Sequence, residues 1–152
     1  MHTLFDADIA EIAISYSTHV AAKDRPKITT SGQAYNIFKT VFPQLEHVEY
    51  FYIILMNRSN AVLGVKMISM GGIAGTVADP KVIFQTALKA NASSLILGHN
   101  HPSGQLTPSE ADNTLTLKLK NAGTFLDLPI LDHIILTNDS YYSYRDEGNC
   151  SL

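Results

Sequence analysis

Hydrophobic and polar residues repeat along this chain with two periods, close to two in some segments and close to 3.6 in others. A period of two, or a continuous β-branched and aromatic run, predicts a strand, whereas a period of 3.6 predicts a helix. Because a polar turn over residues 57–60 joins two of the strand segments, those two predict a β-hairpin. The glycine-rich residues 71–75 lack the Lys-Ser/Thr of a phosphate-binding loop and predict a bend. Six segments show a strand pattern: residues 11–16, 47–56, 61–70, 94–98, 128–136 and 141–145.

Two segments before residue 93 combine helical spacing with residues that favour the start or the end of a helix. Ser31 is predicted to cap the first helix, which Pro43 helps to end. Asp79 followed by Pro80 predicts the start of the second helix, because aspartate suits the N-cap and proline suits the first helical position. This second helix is predicted to run to about Ala92.

A third helix is predicted from about Pro108. Thr107 is the expected N-cap, and Glu110, three residues later, would complete a capping box. Gly123 is the expected C-terminal stop. Four apolar residues on one face are expected to be buried: Ala111, Leu115, Leu119 and Ala122.

A hairpin followed by helix, strand, helix and strand predicts an α/β fold with a mixed β-sheet flanked by helices. The chain has 152 residues, of which 45% are hydrophobic and 16% charged, and this fits one domain with a substantial core. We expect residues 30–146, approximately, to form the core of that domain. Residues 1–29 are expected to supply an N-terminal strand and loop.

The charge balance and the apolar runs limit the possible partners. Eleven Lys and Arg residues face 14 Asp and Glu residues, and the formal net charge is -3. The chain therefore has no overall basic field that would attract DNA. No apolar run approaches the roughly 18 residues that cross a membrane, and the first residues lack the pattern of a secretory signal. We expect a cytoplasmic protein with no membrane association, whose single cysteine, Cys150, excludes an internal disulfide.

Candidate chemistry is concentrated between residues 97 and 112. His99 and His101 are two residues apart at the end of a predicted strand, so their side chains are expected on the same side. Asp112 follows about one turn into the predicted helix, and Ser109 lies three residues earlier on the same face. Two imidazoles and one carboxylate predict a three-ligand metal site, and catalytic zinc sites typically keep three protein ligands and an open position. The alternative is two ordinary loop histidines and a solvated helix aspartate.

Asp132 and His133 interrupt an otherwise apolar predicted strand. Because neighbouring residues of a strand face opposite sides, both cannot readily join one metal site. We expect a structural role for each, since buried polar groups usually satisfy one another. An indirect contact with the metal site remains open to either residue.

The motif His99-x-His101, seven residues, Ser109-x-x-Asp112 resembles the signature of the JAMM (MPN+) metalloproteases. The six residues from His99 to Gly104, His-Asn-His-Pro-Ser-Gly, resemble the bacterial RadC branch of that family. The resemblance extends from about Glu49 to Tyr144. It implies the JAB/MPN fold, in the short form that lacks an N-terminal helix-hairpin-helix module.

The resemblance also implies a role for each residue of the motif. His99, His101 and Asp112 would bind Zn²⁺, and Ser109 would assist at the reaction centre. A glutamate on an earlier strand is the general base in the family, and Glu49 is the best match for it. Another register would assign that role to Glu46, three residues earlier.

The implied function is zinc-dependent hydrolysis of a peptide or isopeptide bond with a metal-activated water, so the expected partner is a protein or peptide. One alternative is a metal-dependent nuclease or DNA-repair-associated factor, although the charge balance gives DNA association no support. Another is a non-enzymatic MPN interaction module. A nucleotide deaminase is disfavoured because the Pro-Cys-x-x-Cys ligands are missing. The sequence leaves the physiological substrate and the oligomeric state open.

Overall fold

The computed structural model describes residue 10, residues 12–71 and residues 77–152. It contains five strands: β1 (Tyr50–Met56), β2 (Val62–Met70), β3 (Ser94–Asn100), β4 (Ile130–Leu136) and β5 (Tyr141–Ser143). It contains three α-helices: α1 (Ser31–Val41), α2 (Pro80–Lys89) and α3 (Glu110–Phe125). The predicted bend at residues 71–75 lies almost entirely outside the described residues. None of the helices in the described ranges is long and apolar enough to cross a membrane.

The strands form one sheet in the order β2-β1-β3-β4-β5. β3 and β4 are parallel, and α3 connects them, while the other neighbouring pairs are antiparallel. A parallel pair needs a crossover of this kind because its connection must return to the starting end of the sheet. The predicted α/β fold with a mixed sheet is therefore confirmed, as is the β-hairpin of β1 and β2.

Alternate residues of β1 cover the two faces of the sheet. Phe51, Ile53 and Leu55 pack in a core with α2 and α3, whereas Tyr52 and Ile54 pack in a second core with α1. Every residue of β1 and of β3 is buried. A strand with both faces covered is expected to be apolar throughout, so the polar residues at the end of β3 are exceptions that need partners.

α1 lies close to β3 because Gly98 has no side chain. A Cβ atom at Gly98 would lie 2.6 Å from the Phe38 ring, well inside van der Waals contact. Gly98 and Phe38 therefore bring the helix directly against the strand segment that ends in His99. The predicted strand at residues 94–98 extends further than expected, through Asn100.

The expected strand at residues 11–16 is wrong for the residues that the structure describes there, 12–16. Ile12 is 87% exposed and Ile14 is 76% exposed. The segment contacts the sheet through Tyr16, whose hydroxyl donates to the Leu63 carbonyl of β2 at 3.0 Å. The alternating side chains thus have no core face to cover, and alternation without burial does not stabilise a strand.

Two predicted helix caps are displaced. The N-cap of α1 is Thr30, whose hydroxyl accepts the Gln33 N–H at 3.3 Å, while the Gln33 side chain accepts the Thr30 N–H at 3.2 Å. Ser31, the expected cap, instead donates its hydroxyl hydrogen to Asp146. The N-cap of α3 is Ser109, two residues later than the predicted Thr107.

Gly123 does not end α3, which continues to Phe125. It is instead a point of close approach, since a Cβ atom there would lie 2.3 Å from the Leu128 carbonyl oxygen. Leu119 is buried as expected, but Ala111 is exposed. Because α3 starts later than predicted, Ala111 lies in its first turn.

Candidate metal centre

His99 lies on β3 and is held there by the strands on both sides. It is in register with Phe51 of β1 and Ile135 of β4. Only 1% of its surface is exposed. The Phe51 ring stacks against the imidazole, with ring centroids 6.0 Å apart and an interplanar angle of 7°. His99 is therefore a fixed, buried side chain and not a loop histidine.

His101 directly follows β3, and its backbone N–H donates to the Leu136 carbonyl at 3.0 Å. The chain then turns back at Gly104, which has a φ of 81°. This turn places the Gln105 carbonyl 2.7 Å from His101 Nδ1. A carbonyl can only accept, so Nδ1 carries the hydrogen, and in the neutral ring Nε2 presents its lone pair.

Asp112 is positioned by the capping box that starts α3. The Ser109 N–H donates to Asp112 Oδ2 at 2.8 Å, and the Asp112 N–H donates to the Ser109 hydroxyl at 3.1 Å. The predicted box paired Thr107 with Glu110. The observed one holds the Asp112 carboxylate at the helix N-terminus, where the helix dipole also favours a negative charge.

The three side chains converge. His99 Nε2 lies 2.9 Å from His101 Nε2 and 3.3 Å from Asp112 Oδ1. His101 Nε2 lies 3.2 Å from Asp112 Oδ2. One ligand atom from each of the three residues lies within 4.8 Å of the others. Two imidazole nitrogens and a carboxylate oxygen around one point suit zinc and could hold it, because a cation would compensate both the facing lone pairs and the carboxylate charge.

The electrostatics of the three side chains agree with this arrangement. Burial acts to raise the pKa of the Asp112 carboxyl, but the His101 and His99 imidazoles beside it outweigh burial and hold that pKa well below its usual range. Burial acts to lower the pKa of His101, but the hydrogen bonds with Asp112 and with the Gln105 carbonyl raise it. A proton shared by His101 and Asp112 and a metal cation would therefore compete for the same atoms.

Glu49 immediately precedes β1, and its carbonyl accepts the Gly71 N–H at 2.8 Å. The pairing of β1 with β3 ends at Phe51 and His99, and Glu49 lies two residues before Phe51. Because residues two apart share a face, the Glu49 side chain lies on the same side of the sheet as Phe51 and His99. Burial raises the pKa of the Glu49 carboxyl; nearby His99 acts to lower this pKa and Asp112 acts to raise it.

Glu46, the alternative residue for the base, lies elsewhere. Its carboxylate accepts a hydrogen bond from the Asn138 side chain on the turn between β4 and β5. Glu46 is exposed, whereas Glu49 is partly buried. The structure thus brings Glu49 close enough to the cluster to interact electrostatically with all three candidate ligands.

Sequence reasoning missed the role of Asn100, which is completely buried between the two histidines. Its side-chain oxygen accepts the Tyr50 N–H at 2.7 Å, and its amide group donates to the Leu45 and Val48 carbonyls at 3.1 and 2.9 Å. These bonds hold the segment that carries Glu49. Its position could have revealed it, since an asparagine between two same-side residues of a buried strand must face the other side and find partners there.

Asp132 and His133 face opposite sides of β4, as expected. The Asp132 carboxylate accepts the Ser143 hydroxyl at 2.7 Å and the Arg145 N–H at 3.0 Å, on the side away from the cluster. His133 is completely buried, and its Nε2 lies 2.7 Å from Nδ1 of His99. Its Nδ1 lies 2.6 Å from the hydroxyl of Thr116, a helix residue that the sequence analysis did not single out.

A family model described as "RadC-like JAB domain" matches residues 28–149, which is most of the chain. The chain belongs to the RadC-like JAB domain family. The predicted RadC and JAB/MPN resemblance is therefore confirmed, and the His99–Asp112 motif lies inside the matched region of this RadC-like domain.

Several bacterial proteins are similar to this chain along most of its length. A UPF0758 protein of Flavobacterium johnsoniae is 48% identical over 122 residues, which are 80% of this chain and 53% of that protein. Counterparts in Chlorobium chlorochromatii and Staphylococcus haemolyticus are 33% and 34% identical, and the matches cover 63% and 66% of their lengths. The chain thus spans about half to two thirds of these relatives. Their names state no activity.

Proposed function

We propose that this RadC-like JAB domain is a zinc-dependent hydrolase that cleaves peptide or isopeptide bonds. The observation that carries the proposal is the convergence of His99, His101 and Asp112 beside a partly buried Glu49. When bound, zinc would supply a Lewis acid and a water molecule whose pKa falls to about 7. Three protein ligands leave a coordination position for that water and for the substrate, as in catalytic zinc sites.

Glu49 would act as the general base and then as the general acid. It accepts a proton from the attacking water and passes it to the amine that leaves when the amide bond breaks. Its environment supports this role, because partial burial raises the pKa of its carboxyl above the usual value. A carboxyl with a raised pKa holds the proton more readily between the two steps, and the interactions of Glu49 with His99, Asp112 and His101 support a place near the metal.

Ser109 would stabilise the negative charge that develops on the carbonyl oxygen of the substrate. Its hydroxyl oxygen accepts the Asp112 N–H, which leaves the hydroxyl hydrogen free to donate. Its side chain is exposed at the start of α3, three residues before Asp112. The same residue therefore orients Asp112 and can contact the carbonyl group.

A protein or peptide is the substrate class that we propose. A metal-activated water could in principle also attack a phosphodiester, but the net charge of -3 provides no attraction for a polyanion. No contact of the described site favours DNA over an amide substrate. Cleavage of a DNA substrate would contradict the proposed substrate class.

The test measures zinc content and activity of the purified chain. We expect about one zinc ion per chain, lost in the variants His99→Ala, His101→Ala and Asp112→Ala, and an affinity that declines as the pH falls through the histidine range. The exposed His19 supplies a matched control, since His19→Ala should bind zinc normally. Isopeptide, peptide and DNA substrates are then assayed side by side. Full zinc content in all three triad variants would overturn the site, and cleavage of DNA alone would overturn the substrate class.

A further inference from the structure

We propose that His133 and Thr116 are positioning residues that hold His99 in the tautomer presenting Nε2 to the metal. This inference rests on the proposed zinc site and adds two residues to it. Its basis is a continuous set of contacts that starts on α3, crosses β4 and ends on β3. Thr116 lies 2.6 Å from His133, and His133 lies 2.7 Å from His99.

The direction of each hydrogen bond follows from one fixed acceptor. The Thr116 hydroxyl lies 2.6 Å from the backbone carbonyl oxygen of Asp112, and because a carbonyl can only accept, the hydroxyl must donate to it. Its oxygen then accepts from Nδ1–H of His133. A neutral imidazole carries one ring hydrogen, so Nε2 of His133 is left as an acceptor. Nδ1–H of His99 donates to that atom, and Nε2 of His99 carries no hydrogen.

The His133 ring is held in the orientation that this relay needs. It is completely buried, and its two polar partners are a hydroxyl and an imidazole, so nothing in direct contact compensates an imidazolium charge. Tyr144 stacks on one face, with ring centroids 4.9 Å apart and an interplanar angle of 13°. The Phe51 ring packs against the His133 ring, with ring centroids 5.6 Å apart and an interplanar angle of 61°. The ring therefore cannot rotate without disturbing two aromatic contacts.

Thr116 connects two of the candidate ligands through one hydroxyl. It lies one turn after Asp112 on α3 and binds the carbonyl of that residue, while its oxygen sets the tautomer of His99 through His133. His101 reaches the same tautomer more directly, because its Nδ1 faces the Gln105 carbonyl. Both imidazoles thus present Nε2 to the carboxylate, one through a local turn and the other through a relay across the core.

If the hydrogen bonds of the relay ran in the opposite direction, the tautomer of His99 would differ. If the Thr116 hydroxyl donated to Nδ1 of His133, every hydrogen in the relay would reverse. A hydrogen would then sit on Nε2 of His99 and face His101 and Asp112. That hydrogen would block the atom that must bind the metal, so the two polarities can be separated in the metal-free protein.

Ring-nitrogen NMR of the metal-free full chain reads the tautomer directly, and chelator competition measures zinc affinity. We expect His99 with its hydrogen on Nδ1 in the parent protein and in Thr116→Ser, which keeps the hydroxyl. Thr116→Val should give mixed tautomers and about 10- to 100-fold weaker zinc binding, the usual effect of losing a group that orients a metal ligand. A matched control is Thr124→Val, because Thr124 makes the same type of bond to Lys120 on α3 with no histidine beside it.

A hydrogen on Nε2 of His99 in the parent protein would overturn the proposal. If the parent protein binds zinc, equal zinc affinity of Thr116→Val and Thr124→Val would also overturn it, as would weakened zinc binding in Thr116→Ser. The NMR measurement needs no metal, so it decides the tautomer even if the parent protein binds no zinc. Failure of the parent protein to bind zinc would count against the proposed function and not against the relay.

Discussion

Asn100 accepts the backbone N–H of Tyr50 at 2.7 Å and so ties β3 to the segment that carries Glu49. Its amide group also donates to the carbonyls of Leu45 and Val48. The strand that supplies His99 therefore also sets the position of the proposed base. This relationship makes Asn100, which faces away from the cluster, a determinant of the geometry on the other side.

Asn100→Ala should destabilise the protein and reduce hydrolysis more than zinc binding. The change leaves one backbone N–H and two carbonyls without their partner, and each buried unsatisfied group costs about 1–3 kcal/mol. Urea unfolding measures the free energy of unfolding of the variant. Zinc content and turnover are measured on the same preparation. Asn138→Ala removes an exposed amide bonded to Glu46 and serves as the control, which should change neither. Equal loss of zinc binding and turnover in Asn100→Ala would contradict a role in placing Glu49.

Glu49→Gln should keep the zinc content and lower turnover by about 10² to 10⁴, because it preserves shape but removes the proton acceptor. Glu46→Gln should have little effect, since Glu46 is exposed and bonded to Asn138. Both variants are assayed on whichever substrate class the screen identifies. Normal turnover of Glu49→Gln would reject the assignment, and a strong loss in Glu46→Gln would move the role three residues earlier.

Ser109→Ala should retain zinc, lose about 1 kcal/mol of stability as an N-cap, and lose about 10² in rate as a donor to the carbonyl oxygen. Thr30 caps α1 by the same geometry and lies outside the cluster. Thr30→Ala should therefore show the loss of stability without the loss of rate. If the two variants had the same turnover at a temperature where both are folded, the function of Ser109 would be limited to the helix cap.

The buried Asp132 should make the folding stability depend on pH, independently of the candidate metal ligands. Burial raises the pKa of the Asp132 carboxyl above its usual value, although the Ser143 hydroxyl acts to lower it. Between the unfolded pKa of about 3.9 and the raised folded pKa, the folded state binds more protons than the unfolded state, so stability falls as the pH rises.

The measurement is chemical unfolding of the parent protein and of Asp132→Asn across this pH range. The stability of the variant relative to the parent should increase as the pH rises, because asparagine does not ionise. Asp139→Asn, on the exposed turn after β4, is the control. A stability difference between Asp132→Asn and the parent that does not change with pH would show that burial does not perturb the carboxyl.

The local pattern of the sequence predicted the strands of the sheet, but it also predicted a strand at residues 11–16 that the described residues 12–16 do not form. That segment alternates like a strand, yet its Ile12 and Ile14 side chains are exposed and it forms no strand with the described sheet. Periodicity reports which side chains could be buried together, whereas burial itself depends on what the rest of the chain leaves uncovered.

Helix starts were predicted to within two residues, and this small error mattered at Ser109. Several residues near the start of α3 can act as a cap, and local propensity does not choose among them. The choice of Ser109 follows from its reciprocal bonds with Asp112, which belong to the cluster. Gly123 was likewise predicted to end α3, since glycine is common just after a helix. Only the tertiary packing shows that Gly123 lets the Leu128 carbonyl approach the helix closely.

The sequence by itself determined the candidate ligands, because His99, His101 and Asp112 lie within 14 residues and their local strand, turn and helix bring them together. Only the tertiary structure decided which groups surround them. Thr116 is 17 residues from His133, and His133 is 34 residues from His99, so their contacts depend on the parallel pairing of β3 with β4 and on the packing of α3. Hydrogen bonds between such distant residues arise from strand register and close packing, which a local pattern does not specify.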